Sequence, residues 1–336
     1  MHQSFSRWLE RQWYQRTGWQ IILRPVSWVF RMLTTLRRLA YRLRLFKSQK
    51  LSIPVIIVGN ISVGGTGKTP FVIWLVQLLR QNGWYPGIIS RGYGGNVIHT
   101  HQVTKDSSPH DVGDEPVLLV QRTGAPLYVG RKRTRAARYL LRDYPECNLI
   151  ISDDGLQHYA LERDMEIIII DGERVFGNGQ LLPAGPLREA STRLEEADAV
   201  VFNSGPPAAG SYLMQLVPEG LRRLNNPEDR MELSELIGKQ VHAVAGIGNP
   251  QRFFGQLEKL GMIVEAHPFA DHHAYSEADF QFAKDDIVLM TEKDAVKCIP
   301  FARENWWFMP ISAEIDRSLA EKILSRLTRL MEEKET

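Results

Sequence analysis

The 336-residue chain is poor in cysteine, in long apolar runs and, at its start, in acid. Two cysteines, Cys147 and Cys298, cannot build a disulfide framework or a four-thiolate zinc site. Two buried, reduced thiols of a cytosolic protein are expected instead. No apolar run approaches the ~18 residues that a spanning helix needs, which excludes a polytopic membrane protein. Residues 1–50 carry one acid, Glu10, against eleven Arg and Lys. The other 286 residues hold 30 basic and 38 acidic groups, so the net charge of +2 hides a basic start on an acidic body. Hydrophobic usage of 43% and charged usage of 24% are ordinary, which excludes a disordered, collagen-like or coiled-coil protein. The length suggests about two domains.

Half of the eight tryptophans fall in the basic start: Trp8, Trp13, Trp19 and Trp28. A cleaved signal peptide does not fit, because Arg24 and Arg31 interrupt the apolar parts. Trp28, Met32, Leu36 and Leu39 form one helical stripe, flanked by Arg31, Arg38 and Arg42. Residues 1–45 therefore read as an amphipathic segment for an anionic membrane interface. Packing on the protein's own body and binding to nucleic acid are the rival readings; nucleic acid is not expected, since the apolar residues are large and helically spaced.

Ile53 to Val58 is a short β-branched run of the buried, parallel-sheet kind. It leads into Gly59-Asn60-Ile61-Ser62-Val63-Gly64-Gly65-Thr66-Gly67-Lys68-Thr69-Pro70, and an amphipathic helix follows with Val72, Leu75, Val76 and Leu79 on one face. Glycines at such a turn let backbone N–H groups converge on phosphate oxygens at a helix N-terminus. Ser62 to Thr69 is the expected nucleotide cradle, with Lys68 on the β- and γ-phosphates and the Thr69 hydroxyl on Mg²⁺. Ser62 stands where the general phosphate-loop pattern has glycine.

A second buried strand over 148–152 ends in Asp153-Asp154, where an acid of such a fold holds Mg²⁺ or its waters. Thr69, Asp153 and Asp154 are the expected metal ligands. Gln157 and His158 add polar groups at the same crevice. Asp171, after Ile167–Ile170, is the rival acid and reads as the end of an ordinary strand. Ser90-Arg91-Gly92-Tyr93-Gly94, Gly113-Asp114-Glu115-Pro116 and Gly185-Pro186-Leu187-Arg188-Glu189 are each weak alone.

Gly205–Gly210 reads as a linker. Beyond it a smaller βαβ unit is expected: a strand over 241–245, a helix to Leu260 and a strand over 262–266. Its Gly246-Ile247-Gly248 turn lacks the third glycine of a dinucleotide fingerprint. Asp271-His272-His273 and Thr291-Glu292-Lys293-Asp294 look chemical, with a metal site, a substrate or nucleotide contact, and simple capping all open. The expected fold is α/β: a mostly parallel phosphate-loop sheet over 46–203, a smaller α/β lobe over 211–300, and a C-terminal helix within 310–336 returning to the first lobe.

In order, these motifs resemble the tetraacyldisaccharide 4′-kinase family of lipid A synthesis, from about residue 8 to 330. The resemblance implies ATP-dependent phosphorylation of the 4′-hydroxyl of a tetraacylated glucosamine disaccharide 1-phosphate. It places the reaction peripherally at the cytoplasmic face of the inner membrane, with nucleotide bound between two lobes and no obligate protein partner. Asp114 paired with His272 is the implied base; choosing His272 over His273 rests on the resemblance alone. Lys68 joins them as a catalytic residue, and Arg91, Asp154, Gln157, His158 and Arg188 are the expected substrate contacts. Ser62 is usual in that family. A membrane-associated phosphate-loop ATPase switch that binds partner proteins is the alternative class.

Overall fold

The computed structural model describes residues 12–14, 18–283 and 285–335. Trp8 and residues 1–11 and 15–17 of the expected interfacial segment lie outside the described residues.

Among the described residues the strands form two sheets. The first is built from β1 (Val55–Gly59), β2 (Pro86–Ser90), β3 (His101–Val103), β4 (Leu127–Val129), β5 (Leu149–Asp153), β6 (Met165–Asp171), β7 (Ala199–Asn203), β8 (Tyr212–Pro218) and, from the chain's end, Ile311–Ile315. The second is built from β9 (Leu221–Arg223), β10 (Arg230–Met231), β11 (Gln240–Ala245), β12 (Ile263–Pro268), β13 (Val288–Thr291) and β14 (Trp306–Met309). With Ile311–Ile315 as β15, the orders are β15-β8-β7-β6-β1-β5-β2-β4-β3 and β10-β9-β14-β13-β11-β12.

Alternation along β1 explains the first sheet's two cores. Ile56 and Val58 face one core, with Val72, Leu75, Val76 and Leu79 of the Lys68–Gln81 helix. Val55 and Ile57 face the other, with Ala136, Ala137 and Leu140 of the Arg133–Asp143 helix. Helices cover both faces, as strands apolar on both sides require. β1 lies between β5 and β6 in parallel register, which puts the phosphate loop and both strand-end acids at one edge. Cys147 and Cys298 are buried and unbonded to each other.

The lobe boundaries differ from the sequence reading. β8, inside the expected smaller lobe of 211–300, pairs in parallel with β7 and belongs to the first sheet. β14, beyond residue 300, pairs with β13 in the second. The smaller sheet therefore occupies about 221–309, and the linker-like Gly205–Gly210 is a turn within the larger lobe. Gly and Pro mark a tight turn as readily as a linker. β15 then pairs antiparallel with β8, and Leu319, Ile323 and Leu327 of the Arg317–Glu335 helix enter the core shared with β1.

The Trp19–Arg42 helix is dressed in reverse. It buries Gln20 and Ser27, while Trp28 is 67% exposed and Met32, Leu36 and Leu39 stand in solvent with Ile21, Ile22, Val26, Val29 and Leu33. Ser27 Oγ donates to Leu181 O at 2.9 Å and accepts from Ala184 N at 3.0 Å. Arg38, expected on the lipid side, instead pairs with Glu196. No described helix is long and apolar enough to cross a membrane.

Leu327 is fully buried, so Leu327→Ala should cost about 2–5 kcal/mol in a urea unfolding series. A loss within ~0.5 kcal/mol, the range of surface changes, would place that helix off the core.

Candidate active site

The phosphate loop is held from three directions. Gly67, at φ +92°, has a backbone that side chains rarely adopt, and a Cβ there would lie 2.5 Å from Asn203 Nδ2. That same amide donates to Thr66 O at 3.1 Å. Asp171 ends β6 and accepts from Arg174 Nε at 2.8 Å; the guanidinium then donates to Gly65 O at 2.7 Å. The rival acid of the sequence reading thus steadies the loop through an arginine. From the smaller lobe, Gly248 packs so closely that a Cβ would lie 2.8 Å from Gly65 N. The Gly246–Gly248 turn therefore provides close approach to the phosphate loop.

Lys68, Asp154 and Arg188 meet at the mouth of this loop. Lys68 Nζ lies 3.4 Å from Asp154 Oδ1, and Arg188 Nη1 lies 3.2 Å from Asp154 Oδ2. Arg188 arrives because residues 186–188 run along Ile61–Val63: Val63 N donates to Pro186 O at 2.8 Å and Arg188 N to Ile61 O at 2.7 Å. Asp154 sits at φ +46°, left-handed backbone that Asp tolerates better than most residues. Buried Arg133 holds that turn, donating to the carbonyls of both Asp153 and Asp154 at 3.2 Å. Burial opposes ionisation of Asp154, yet Lys68, Arg188 and Arg133 push its pKa well below the usual carboxylate range.

Asp153 is the opposite case. Its Oδ2 accepts from Ser90 Oγ at 3.0 Å, while Oδ1 is buried with no partner in the protein. Burial, then the negative charges of Glu115 and Asp154, raise its pKa from 3.8 to about 7. An orphaned carboxylate oxygen beside a second carboxylate, with the Thr69 hydroxyl opening the helix, is an all-oxygen donor set that suits Mg²⁺.

Gln157 spends its amide internally, donating to Asn60 O at 3.1 Å and Glu189 Oε1 at 2.8 Å. His158 Nε2 is buried without a partner. Burial, then the charges of Arg133, Arg163, Arg37 and Arg91, lower its pKa to about 4. Arg91 itself is exposed just after β2.

The second cluster bridges the lobes. Asp114 opens the Asp114–Thr123 helix and is buried. His272, on the loop after β12, brings Nδ1 to 2.9 Å from Asp114 Oδ1 and 3.0 Å from Oδ2. His273 turns away toward Asp279, at 3.3 Å, so the adjacent histidines do not converge on one ion. Lys293 Nζ lies 3.0 Å from Glu115 and 3.1 Å from Asp271, and Lys297 Nζ lies 3.6 Å from Asp114. Burial works against the Asp114 charge, but Lys293, His272 and Lys297 outweigh it and hold the pKa at about 2. Glu115 links the clusters, touching Lys293 and raising Asp153 by its charge.

The Thr291–Asp294 motif divides its labour. Asp294 accepts from Thr291 Oγ1 and Gly246 N, Glu292 receives Arg122 at 2.8 Å, and Lys293 alone reaches His272, at 3.4 Å. Sequence reading gave no role to Arg133, Arg174, Asn203 or Lys297, each of which acts through a contact distant in the chain, and it quoted Ser90 within a motif at a strand end without assigning it the Asp153 contact.

A raised pKa means that the stability given by neutral Asp153 is complete below about pH 3.8 and lost as pH rises through about 7. Without Mg²⁺, Asp153→Asn should therefore gain stability relative to the parent between about pH 5 and about pH 8 in denaturant titrations. An unchanged difference would mean that Asp153 is not a buried, charge-crowded acid.

The family model for tetraacyldisaccharide-1-P 4′-kinase matches residues 19–328. A tetraacyldisaccharide 4′-kinase of Methylobacillus flagellatus is 85% identical over 332 residues, 99% of either chain. One of Nitrosococcus oceani is 47% identical over 98% of this chain and 97% of its own. The crystal structure of LpxK from Aquifex aeolicus in complex with ATP matches with a TM-score of 0.78 at 29% identity, over 92% of this chain and 99% of that one. The matches span nearly the whole chain, and the chain belongs to the tetraacyldisaccharide-1-P 4′-kinase family.

Proposed function

We propose that the crevice transfers the γ-phosphoryl group of ATP to the 4′-hydroxyl of a tetraacylated disaccharide 1-phosphate, with the Asp114–His272 bridge on the acceptor side. The observation that carries this is the junction of two chemistries at one place. Lys68 and the phosphate loop suit a triphosphate, and a buried ionised carboxylate one residue from Glu115 suits an alcohol. Ser62 to Thr69 would cradle the phosphates. Thr69, Asp153 and Asp154 would hold Mg²⁺, which supplies neutralisation of phosphate charge when bound. Lys68, now on Asp154, would turn its charge to the transferring group.

Asp114 is the proposed proton acceptor. In a loose transition state the protein mainly positions and neutralises, so a fixed acceptor serves even with a pKa near 2. His272 and Lys293 would hold it in place and share the developing charge. Exposed Arg91 and part-exposed Arg188 would suit an anionic headgroup, with His158 beside them as a neutral contact; Gln157 would act through Asn60 and Glu189.

The substrate's acyl chains hold it in a bilayer, since exposing each CH₂ costs ~0.8 kcal/mol. The bare apolar side of the Trp19–Arg42 helix supports peripheral binding at the cytoplasmic face of the inner membrane. Arg31, Arg37, Arg42 and Arg44 are exposed, whereas Arg38 is committed to Glu196.

With Mg²⁺, labelled ATP and a glycolipid panel, label should enter only the 4′-unphosphorylated disaccharide. Lys68→Ala should lower kcat by about 10²–10³. Label entering a protein instead would overturn the reading. Reversing Arg31, Arg37 and Arg42 to Glu should weaken sedimentation with anionic vesicles, each arginine being worth ~1 kcal/mol near the surface. High salt should mimic the change, the Debye length falling to ~3 Å at 1 M. Equal vesicle binding of parent and variant at every salt concentration would contradict a membrane role for those arginines.

A further inference from the structure

Away from the crevice, two imidazoles meet at the edge of the smaller sheet. β12 is the outermost strand beside β11, in a parallel register that pairs His242 with Glu265 and Val244 with His267. Side chains alternate along a strand, so His242, Glu265 and His267 share one face. His242 Nδ1 lies 3.0 Å from His267 Nε2. The Glu265 carboxylate lies 3.6 Å from that His242 nitrogen and 3.7 Å from that His267 nitrogen. One donor atom from each residue falls within 4.8 Å of the others. His242 is buried and His267 half-buried.

We propose that His242, His267 and Glu265 form a binding site for a divalent transition metal of the zinc class, independent of the phosphoryl-transfer crevice. An ion ~2.0–2.1 Å from two nitrogens at a tetrahedral angle sets them about 3.3 Å apart, close to the spacing here. The carboxylate reaches both nitrogens, with Oε2 3.6 Å from His242 Nδ1 and Oε1 3.7 Å from His267 Nε2, so an oxygen is in place as a third ligand. The other nitrogen of His242, Nε2, lies 3.5 Å from Asp286 Oδ2. A carboxylate behind a ligating histidine fixes its tautomer and raises its basicity. Phe282 stacks on the His267 ring at 3.6 Å between centroids and lies 5.1 Å from that of His242, so the rings are already oriented.

A plain hydrogen bond between the rings accounts for the 3.0 Å contact, and Gln240 Nε2 donates to Glu265 Oε2 at 3.4 Å; neither contact uses Glu265 Oε1, the oxygen that faces His267. Imidazole nitrogens favour zinc-class ions, whereas the oxygens of Thr69, Asp153 and Asp154 favour Mg²⁺. The two sites therefore select different metals. A bound ion would also pin β12 to β11, and β12 runs through Pro268 and Phe269 into the loop that carries His272. Three protein ligands leave a fourth position for water or a further donor.

The test uses the full chain, stripped by chelator and then equilibrated with Zn²⁺ in the presence of excess Mg²⁺. The parent should retain one Zn²⁺ per chain more than His267→Ala. Co²⁺ should give a four-coordinate absorption band in the parent that His267→Ala lacks. Glu265 is exposed, so Glu265→Gln keeps the fold and should weaken Zn²⁺ at least about 10-fold, with Asp286→Asn weaker by about 10–100-fold. Zinc affinity unchanged in Glu265→Gln and His267→Ala, or no zinc retained by the parent, would overturn the proposal.

Discussion

The buried charge of Asp114 is the constraint around which the crevice is organised. A carboxylate taken out of water is costly unless cations compensate it. Here the compensating groups, His272, Lys293 and Lys297, all belong to the smaller lobe, while Asp114 belongs to the larger. The cost of burying that acid is therefore offset only while the lobes meet. Arg122 adds a second tie, reaching Glu292 at 2.8 Å and Glu219 at 2.6 Å. Gly248 against Gly65 forms the third, by close packing rather than charge. The phosphate loop and Asp114 both belong to the larger lobe, and the smaller lobe supplies the cations that keep Asp114 charged.

The two strand-end acids show how adjacent residues acquire opposite behaviour. Asp154 faces Lys68 and Arg188 and stays ionised; Asp153 faces inward toward Ser90 with one oxygen unsatisfied. Arg133 makes this split possible by holding both carbonyls, so the chain turns sharply between the two side chains. The Trp19–Arg42 helix reverses the usual economy of burial. Its docking is partly polar, through Ser27 and Arg38, with Phe30 packed on the core and Tyr41 beside Tyr159, and most of its apolar residues are exposed.

Much of the larger lobe was legible in the sequence because its signals are local. A β-branched run, a glycine turn and a 3.6-residue apolar period specify β1, the phosphate loop and the helix after it. The acids at 153 and 154 were legible by their place at a strand end. The allotment of strands to the two sheets was not: β8 and β14 look alike as short apolar runs, and only pairing partners assign them to different sheets. Arg133 and Arg174 drew no role from the sequence, since the backbone carbonyls they reach are brought to them by the fold and not by local pattern. Asp114 and His272, 158 residues apart, were joined by family resemblance and not by pattern. Arg38 was read as lipid-facing because helical spacing gives a face and not its occupant.

The central claim is that Asp114 and His272 act as one unit across the lobes during phosphoryl transfer. A double-mutant cycle on kcat tests it most directly, with Asp114→Ala, His272→Ala and the double variant assayed at saturating ATP and glycolipid. Groups that act together are non-additive. The double variant should fall little further than the more damaged single variant. Losses that multiply would mean that the two residues contribute separately, and that their 2.9 Å contact has no part in the chemistry.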